Sequence, residues 1–476
     1  MVRGLRQRLK YIVSDYIFTS LAWAIFNVIR YNDIIEPQET YTSLTDFLCV
    51  KQVWLVQILF PMLMLVLYYL SGYYNQVFFR SRVEELTGTF STALIGTLII
   101  YFAAIVNDPI PDRASNYELL IMLLSLLFIL VYLSRLAITQ ATKRRIEQGQ
   151  ITFKTIIVGP TQQAHALRQK LARKGSGNRH TDVYKIIGYV TPQPTTELEY
   201  NGIPVYQLED VEQVCSRHNV QYVILTQGKG KMSAILNIVN RLFPLDIPIL
   251  ISPTLFQLIT SKPKIGDLKS EPLIDITHAN MRESTKNLKR AGDFIVSLLS
   301  LIVLSPVYCI IAACIRIDSK GPILYRQERI GLRKKPFKII KFRTMRTDAE
   351  AFGPALSSDG DSRITRVGHY LRKYRLDELP QFWNVLKGEM SIVGPRPERE
   401  FYIRQIVERA PYYTLVHQVR PGITSLGMVK HGYAQNVEAM VDRLQYDLIY
   451  IENISFTIDV KVLIYTVSTV VNGRGI

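Results

Sequence analysis

The chain has 476 residues, enough for two or three domains, and 48% of them are hydrophobic. Its formal charge of +17 admits nucleic acid, an anionic membrane surface or phosphorylated substrates as partners. Neither zinc-finger spacing nor an aromatic-rich RNA-binding strand accompanies that charge, so no nucleic-acid partner is expected. Cys49, Cys215, Cys309 and Cys314 form no metal-ligand pattern, which argues against a disulfide framework and fits a cytosolic bulk.

Four apolar segments precede Thr142: Tyr11–Ile29, Val53–Leu70, Phe90–Val106 and Leu119–Ile138. Each is close to the ~20 residues that cross a bilayer. Arg3, Arg6, Arg8 and Lys10 precede the first, whereas Asp33, Glu36, Glu39 and Asp46 follow it. Arg80 and Arg82 come next, then Asp108, Asp112 and Arg113, then Lys143, Arg144 and Arg145. Basic loops alternate with basic-poor ones, which puts both ends of a 1–141 block on the cytoplasmic side. With no intramembrane charge pair to mark a conduit, the block is expected to anchor or dimerise the protein.

From Ile151 short apolar runs alternate with amphipathic stretches. Thr155–Gly159, Tyr184–Val190 and Tyr222–Thr226 are predicted strands, and His165–Arg173, Val211–His218 and Met232–Leu242 predicted helices. Such alternation predicts a doubly wound, Rossmann-like α/β domain over 142–280. Gly159-Pro160-Thr161-Gln162-Gln163-Ala164 lacks the later glycines of a dinucleotide fingerprint, so a structural or regulatory role is expected.

A fifth apolar stretch, Phe294–Ile315, has Lys286, Lys289 and Arg290 before it and Arg316 and Lys320 after it. Its length would span a bilayer, but two basic flanks place both ends on one side. Ser305-Pro306 at its centre would break the helix, so a re-entrant segment over 291–316 is expected; a kinked spanning helix is the alternative. Beyond it, alternation along Phe337–Phe342 sends Lys341 and Arg343 to one face. Arg372 lies five residues before Asp377, and Arg396 lies between Pro395 and Pro397, which restrict the local backbone. Planar guanidinium groups suit phosphate oxygens. Phe352–Asp361, rich in Gly, Ser and Asp, is predicted to be a mobile loop that closes over the substrate or a plain surface loop. Glu398, Arg399 and Glu400 fall at the rim. His417 and His431 have no partners at metal spacing and are read as structural. Thr457–Val471 is predicted to pack on the domain or lie on a membrane surface.

Between these cations stands the pair Asp377-Glu378. Pro380 belongs in a first helical turn and Gly388 is a natural stop, so the dyad sits at a helix start, where the dipole favours carboxylate anions. By itself this predicts only a basic, membrane-apposed, carboxylate-centred phosphate site.

Five ordered blocks go further: Lys341–Met345, Arg363–Gly368, Leu376–Gln381, Asn384–Ser391 and Val393–Pro397. Together they resemble the bacterial polyprenyl-phosphate hexose-1-phosphate transferases. The resemblance implies an α/β catalytic domain over 281–476 whose membrane hairpin breaks at Ser305 and Pro306. It also implies an enzyme of the bacterial inner membrane, its catalytic face cytoplasmic, that moves hexose-1-phosphate from a UDP-hexose to undecaprenyl phosphate and releases UMP. Asp377 would be the covalent nucleophile and Glu378 the Mg²⁺ ligand, with Lys341, Arg343, Arg372 and Arg396 on the phosphates. Membrane lipid and a second copy of the chain are the further partners expected. Two other readings are a membrane-anchored nucleotide-sugar dehydratase or epimerase and a non-catalytic assembly scaffold. The first needs a glycine fingerprint and a Tyr-x-x-x-Lys pair, both absent from Ile151–Met281. The second should have lost the dyad or its arginines, and both are present.

Overall fold

The computed structural model describes residues 2–35, 41, 43–75, 77–78, 80–105, 113–173, 183–226, 232–252, 273–279, 281–349, 361–432, 434 and 436–471. The N-terminal block contains the long helices α1 (Val2–Arg30), α2 (Lys51–Leu70), α3 (Arg82–Ile100) and α4 (Arg113–Glu147). All four are long and apolar enough to cross a membrane. Trp23, Phe26, Phe60, Met64, Leu123 and Leu127 fill the bundle interior, while Leu21, Leu59, Val66, Ile95, Ile121 and Ile129 stay exposed. Apolar side chains on both the inner and outer faces suit a lipid surround.

The absence of an intramembrane charge pair does not hold. Asp15 on α1 and Arg135 on α4 are fully buried and joined by two hydrogen bonds of 2.8 and 2.7 Å. Arg135 also donates to Thr89 Oγ1 at 2.8 Å and lies 4.0 and 3.6 Å from the ring centres of Tyr68 and Tyr73. Glu85 accepts from Tyr73 and Thr139, and Asp15 from Tyr74. The paired residues stand 120 positions apart, so no local spacing announces them.

The middle region is a seven-stranded sheet of β1 (Phe153–Val158), β2 (Tyr184–Thr191), β3 (Glu199–Tyr200), β4 (Ile203–Gln207), β5 (Tyr222–Leu225), β6 (Ile249–Ile251) and β7 (Ile274–Asp275). Their order is β3-β4-β2-β1-β5-β6-β7; the inner five strands are parallel and the two edge strands antiparallel. Helices α5 (Thr161–Arg173), α6 (Val211–His218) and α7 (Met232–Leu242) intervene. Gly159 has φ +147° and lies against the Thr226 side chain, so this glycine has a backbone reason to be there without any fingerprint.

The C-terminal region opens with α8 (Glu283–Val303) and α9 (Ser305–Asp318), bent by 61°. Leu304 is the break, and Pro306 falls in the first turn of α9, where its missing N–H leaves no hydrogen bond unmade. Phe294, Ile295, Leu299, Ile302, Val303 and Ile310 are exposed. The opposite side of α8 grips the rest of the domain. Asp293 accepts from Ser391 Oγ at 2.7 Å and Ile392 N at 3.2 Å, and Arg290 donates to the carbonyls of Val385 and Leu386 at 2.6 and 2.9 Å. A hairpin of β8 (Leu324–Ile330) and β9 (Pro336–Phe342) follows, its turn tied to Asp246 and His278 of the middle region by Arg333. Next come α10 (Arg366–Lys373), α11 (Gln381–Lys387), β10 (Ser391–Val393), α12 (Glu400–Arg409), β11 (Gly422–Thr424), α13 (Leu426–His431), α14 (Val437–Glu452) and α15 (Phe456–Val471). β10 and β11 pair in parallel. Residues 352–360 of the predicted loop lie outside the described residues.

Candidate active site

The Asp377-Glu378 pair is placed by a short sequence of backbone events. Thr365 caps α10 by accepting from Gly368 N at 3.0 Å. Arg375 then takes φ +52° and turns the chain into a 3₁₀ turn, Leu376–Glu378, which carries both carboxylates. α11 starts one residue later than the sequence predicts, with Pro380 as its N-cap, and stops at Gly388, φ +85°, where the sequence predicts the stop. Asn384 fastens α11 to β9: its Oδ1 accepts from Ile340 N at 3.1 Å and its amide donates to Lys338 O at 2.8 Å. β9 therefore delivers Lys341 to the dyad at a fixed height.

A cavity of about 310 Å³ opens over the pair. Glu378 Oε1 accepts from Lys341 Nζ at 2.8 Å and from Arg396 Nη2 at 3.1 Å, with Arg375 4.0 Å from Oε2. Asp377 is equally buried, yet among the described residues its carboxylate has no side-chain hydrogen bond or ion pair. Burial pushes Asp377 up to about 6, Glu378 adds to the rise, and Lys341, Arg372 and Arg396 oppose it. Burial would raise Glu378 too, but Lys341, Arg396 and Arg375 outweigh it and hold that carboxyl well below the usual carboxylate range. Neighbouring cations and burial thus set the two carboxyls apart. Glu378 is an anchored anion, and Asp377 is an unencumbered one.

Lys341, Arg343, Arg372 and Arg396 all line the cavity. Their attachments differ. Arg343 donates to the carbonyls of Lys320 and Ser319 at 2.6 and 2.7 Å, which ties β9 to the end of α9. Arg372 Nε donates to Thr344 Oγ1 at 2.9 Å. Pro395 and Pro397 hold the Arg396 loop through their carbonyls, which accept from Gly422 N at 2.9 Å and Arg329 Nη1 at 3.1 Å. Ser305 and Pro306 lie at the bend of α8 and α9 and do not line the cavity. His417 is buried against Gly331 O and pushed down to about 3 by desolvation, which keeps it neutral and structural.

Sequence reasoning missed Arg329 and Arg443, and placed Glu398 only at a rim. Glu398 is buried between them, 2.6 Å from Arg443 and 3.2 Å from Arg329, and all three line the cavity. Alternation could have found Arg329: Tyr325, Gln327 and Arg329 share one face of β8, and Tyr325 pairs with Lys341. Arg443 had no such signal.

Among the described residues no three His, Cys, Asp or Glu side chains are grouped to hold a metal. Among the described residues, Asp377 and Glu378 are the adjacent carboxylates at the cavity that a hard cation could meet. That donor set fits Mg²⁺, which is commonly held by one or two carboxylates with substrate phosphates and water completing its shell.

A buried carboxylate dyad ringed by cations, beside a bent apolar helix pair, defines a membrane-associated phosphate-handling site. Residues 284–473 match the family described as bacterial sugar transferase. A UDP-N-acetylgalactosamine-undecaprenyl-phosphate N-acetylgalactosaminephosphotransferase of Aeromonas hydrophila is 40% identical over 188 residues, 40% of this chain and 44% of that one. A UDP-glucose:undecaprenyl-phosphate glucose-1-phosphate transferase of Escherichia coli is 32% identical over 287 residues, 60% of this chain and 61% of that one. The chain thus spans about half the length of these two relatives. An exopolysaccharide production protein PSS of Rhizobium leguminosarum is 40% identical over 196 residues, 40% of this chain and 98% of that one. The chain belongs to the bacterial sugar transferase family.

Proposed function

We propose that the protein transfers hexose-1-phosphate from a UDP-hexose to undecaprenyl phosphate and releases UMP. The observation that carries this reading is the division within the dyad: Glu378 is held by Lys341 and Arg396, while Asp377 is buried, lines the cavity and has no side-chain partner among the described residues. In the first step an Asp377 oxygen attacks the sugar-side phosphorus. The bond to the bridging oxygen breaks, UMP leaves, and a sugar-phosphoryl carboxylate remains. In the second step an oxygen of the lipid phosphate attacks the same phosphorus and Asp377 departs as carboxylate. Lys341, Arg372 and Arg396 stabilise the charge that develops on the phosphoryl oxygens, the main task of a protein in such chemistry. Mg²⁺, when bound at Asp377 and Glu378, supplies Lewis-acid polarisation of the diphosphate.

The setting supports a lipid acceptor. The bent α8–α9 pair with its exposed apolar side is read as a re-entrant hairpin that keeps the cavity at the membrane surface. The middle sheet is read as a Rossmann-like regulatory or structural domain, and the four-helix block as an inner-membrane anchor with the catalytic region on its cytoplasmic side. A homodimer is consistent with an anchor of this kind. The names of the Aeromonas and Escherichia relatives carry the same acceptor. Purified protein in nanodiscs, given labelled UDP-glucose, UDP-galactose and UDP-N-acetylhexosamines with undecaprenyl phosphate, should form a labelled lipid with at least one of them. Active-site-intact, folded protein that labels lipid with none of these donors contradicts the reading.

A further inference from the structure

The turn between α2 and α3 lies directly against the first turn of α8. Gly72, at φ +80°, makes the approach possible: a Cβ there would stand 2.6 Å from Glu283 Cβ and 2.8 Å from Ser284 N. Asn75 then donates to Glu283 Oε2 at 2.7 Å and to Asn287 Oδ1 at 3.2 Å. The buried Asn287 returns a bond to Tyr69 O at 2.5 Å. Backbone closeness and reciprocal amide bonds make this a fitted contact.

Both sides of the contact are stiff. On the bundle side, Tyr73 and Tyr74 plug the turn into the buried network by donating to Glu85 at 2.7 Å and Asp15 at 2.8 Å, with Arg135 bridging between. Arg8 adds a bond to Tyr74 O at 2.8 Å. On the catalytic side, Arg290 lies one turn beyond Asn287 and binds the last carbonyls of α11, the helix that follows the dyad. Packed and hydrogen-bonded groups therefore run from Arg135 to α11, the helix that follows the dyad in the chain.

We propose that the α2–α3 turn is a positioning element: Gly72 and Asn75 seat α8, and with it the bent α8–α9 pair and the dyad, against the membrane block. The block then does more than anchor, because it fixes how the cavity is presented to a lipid-borne phosphate. This last clause rests on the transferase reading; the seating itself does not.

Cys309 and Cys314, both exposed on α9, are native reporters, and exposed Cys49 is an internal reference. Full-length protein in nanodiscs is labelled with a membrane-impermeant maleimide as wild type, Gly72→Ala, Asn75→Ala and Gly88→Ala. The last is the control, since a Cβ at Gly88 meets nothing within 4 Å. Gly72→Ala and Asn75→Ala should raise labelling of Cys309 and Cys314 several-fold relative to Cys49, and Gly88→Ala should not. In the same preparations the two variants should raise the KM for lipid acceptor while lipid-independent UMP release per site stays at the wild-type level. If Gly72→Ala does not fold, Asn75→Ala decides. Wild-type labelling of Cys309 and Cys314 in the folded Asn75→Ala protein overturns the proposal. Shifted labelling in a protein without transferase activity of any kind upholds the seating and removes only the transferase reading.

Discussion

Lys341→Met isolates the electrostatics of the dyad. The Lys341 side chain is 17% exposed, and its ammonium stands 2.8 Å from a Glu378 side chain that is 9% exposed, so water screens the pair little. Removing one partner of a buried pair costs about 3–5 kcal/mol; Arg396 still holds Glu378, which favours the lower end of that range. The effect on Asp377 is more telling. Lys341 is the largest of the influences holding that carboxyl down, and with it in place Asp377 titrates at about 6. In the proposed mechanism the nucleophile must be ionised, so activity is lost as pH falls through that value. Without Lys341 the pKa rises further, and the acid limb of the pH–rate profile moves to higher pH. A shift of ~1 unit corresponds to about 1.4 kcal/mol of lost anion stabilisation. The assay is UMP release from UDP-sugar without lipid, measured on wild type and variant across the acid limb, with thermal unfolding in parallel. An acid limb unmoved from wild type in a folded, measurably active Lys341→Met protein refutes the assignment of Lys341 as the cation that tunes Asp377.

Three further outcomes are expected. Asn384→Leu leaves Ile340 N and Lys338 O without their partner inside the core, so it should destabilise the protein by ~2–4 kcal/mol in thermal or denaturant unfolding. Asp15→Asn breaks the buried pair with Arg135 and should cost about 3–5 kcal/mol, read as a lowered Tm in detergent, with the pH–rate profile unchanged. A protein beginning near Ser284 should keep transferase activity in nanodiscs, because every candidate catalytic residue lies after Ser305 and residues 284–473 carry the family match. Its loss of the α2–α3 turn should appear in the KM for lipid, not in lipid-free UMP release.

Much of the architecture is legible because it is periodic or long. Three of the four apolar segments fall inside α1, α2 and α4 and the third overlaps α3, and the predicted helices Val211–His218 and Met232–Leu242 have the observed bounds. Short strands escape such reading: Ile249–Ile251 has three residues, and Ile203–Gln207 contains a proline that argues against a strand from sequence. Local chemistry placed the dyad, its helix stop at Gly388 and the arginine between prolines. It did not distinguish Arg343, whose guanidinium braces Ser319 and Lys320, from Arg396, which reaches Glu378. Nor could it pair Glu398 with Arg443, 45 residues on, or Asp15 with Arg135. Those partners meet only when separate elements pack, and nothing in their neighbours encodes the meeting.

The claim at the centre is that Asp377 forms a bond to phosphorus before lipid arrives. The direct measurement is intact mass of the full-length protein after incubation with UDP-sugar and Mg²⁺ in lipid-free detergent, with UMP quantified in the same sample. Near-stoichiometric UMP and a sugar-phosphate adduct that Asp377→Asn abolishes are the expected result. Enzyme that transfers sugar-phosphate to lipid, yet releases no UMP and carries no adduct until lipid is added, contradicts the covalent route and makes Asp377 a spectator of direct attack by the lipid phosphate.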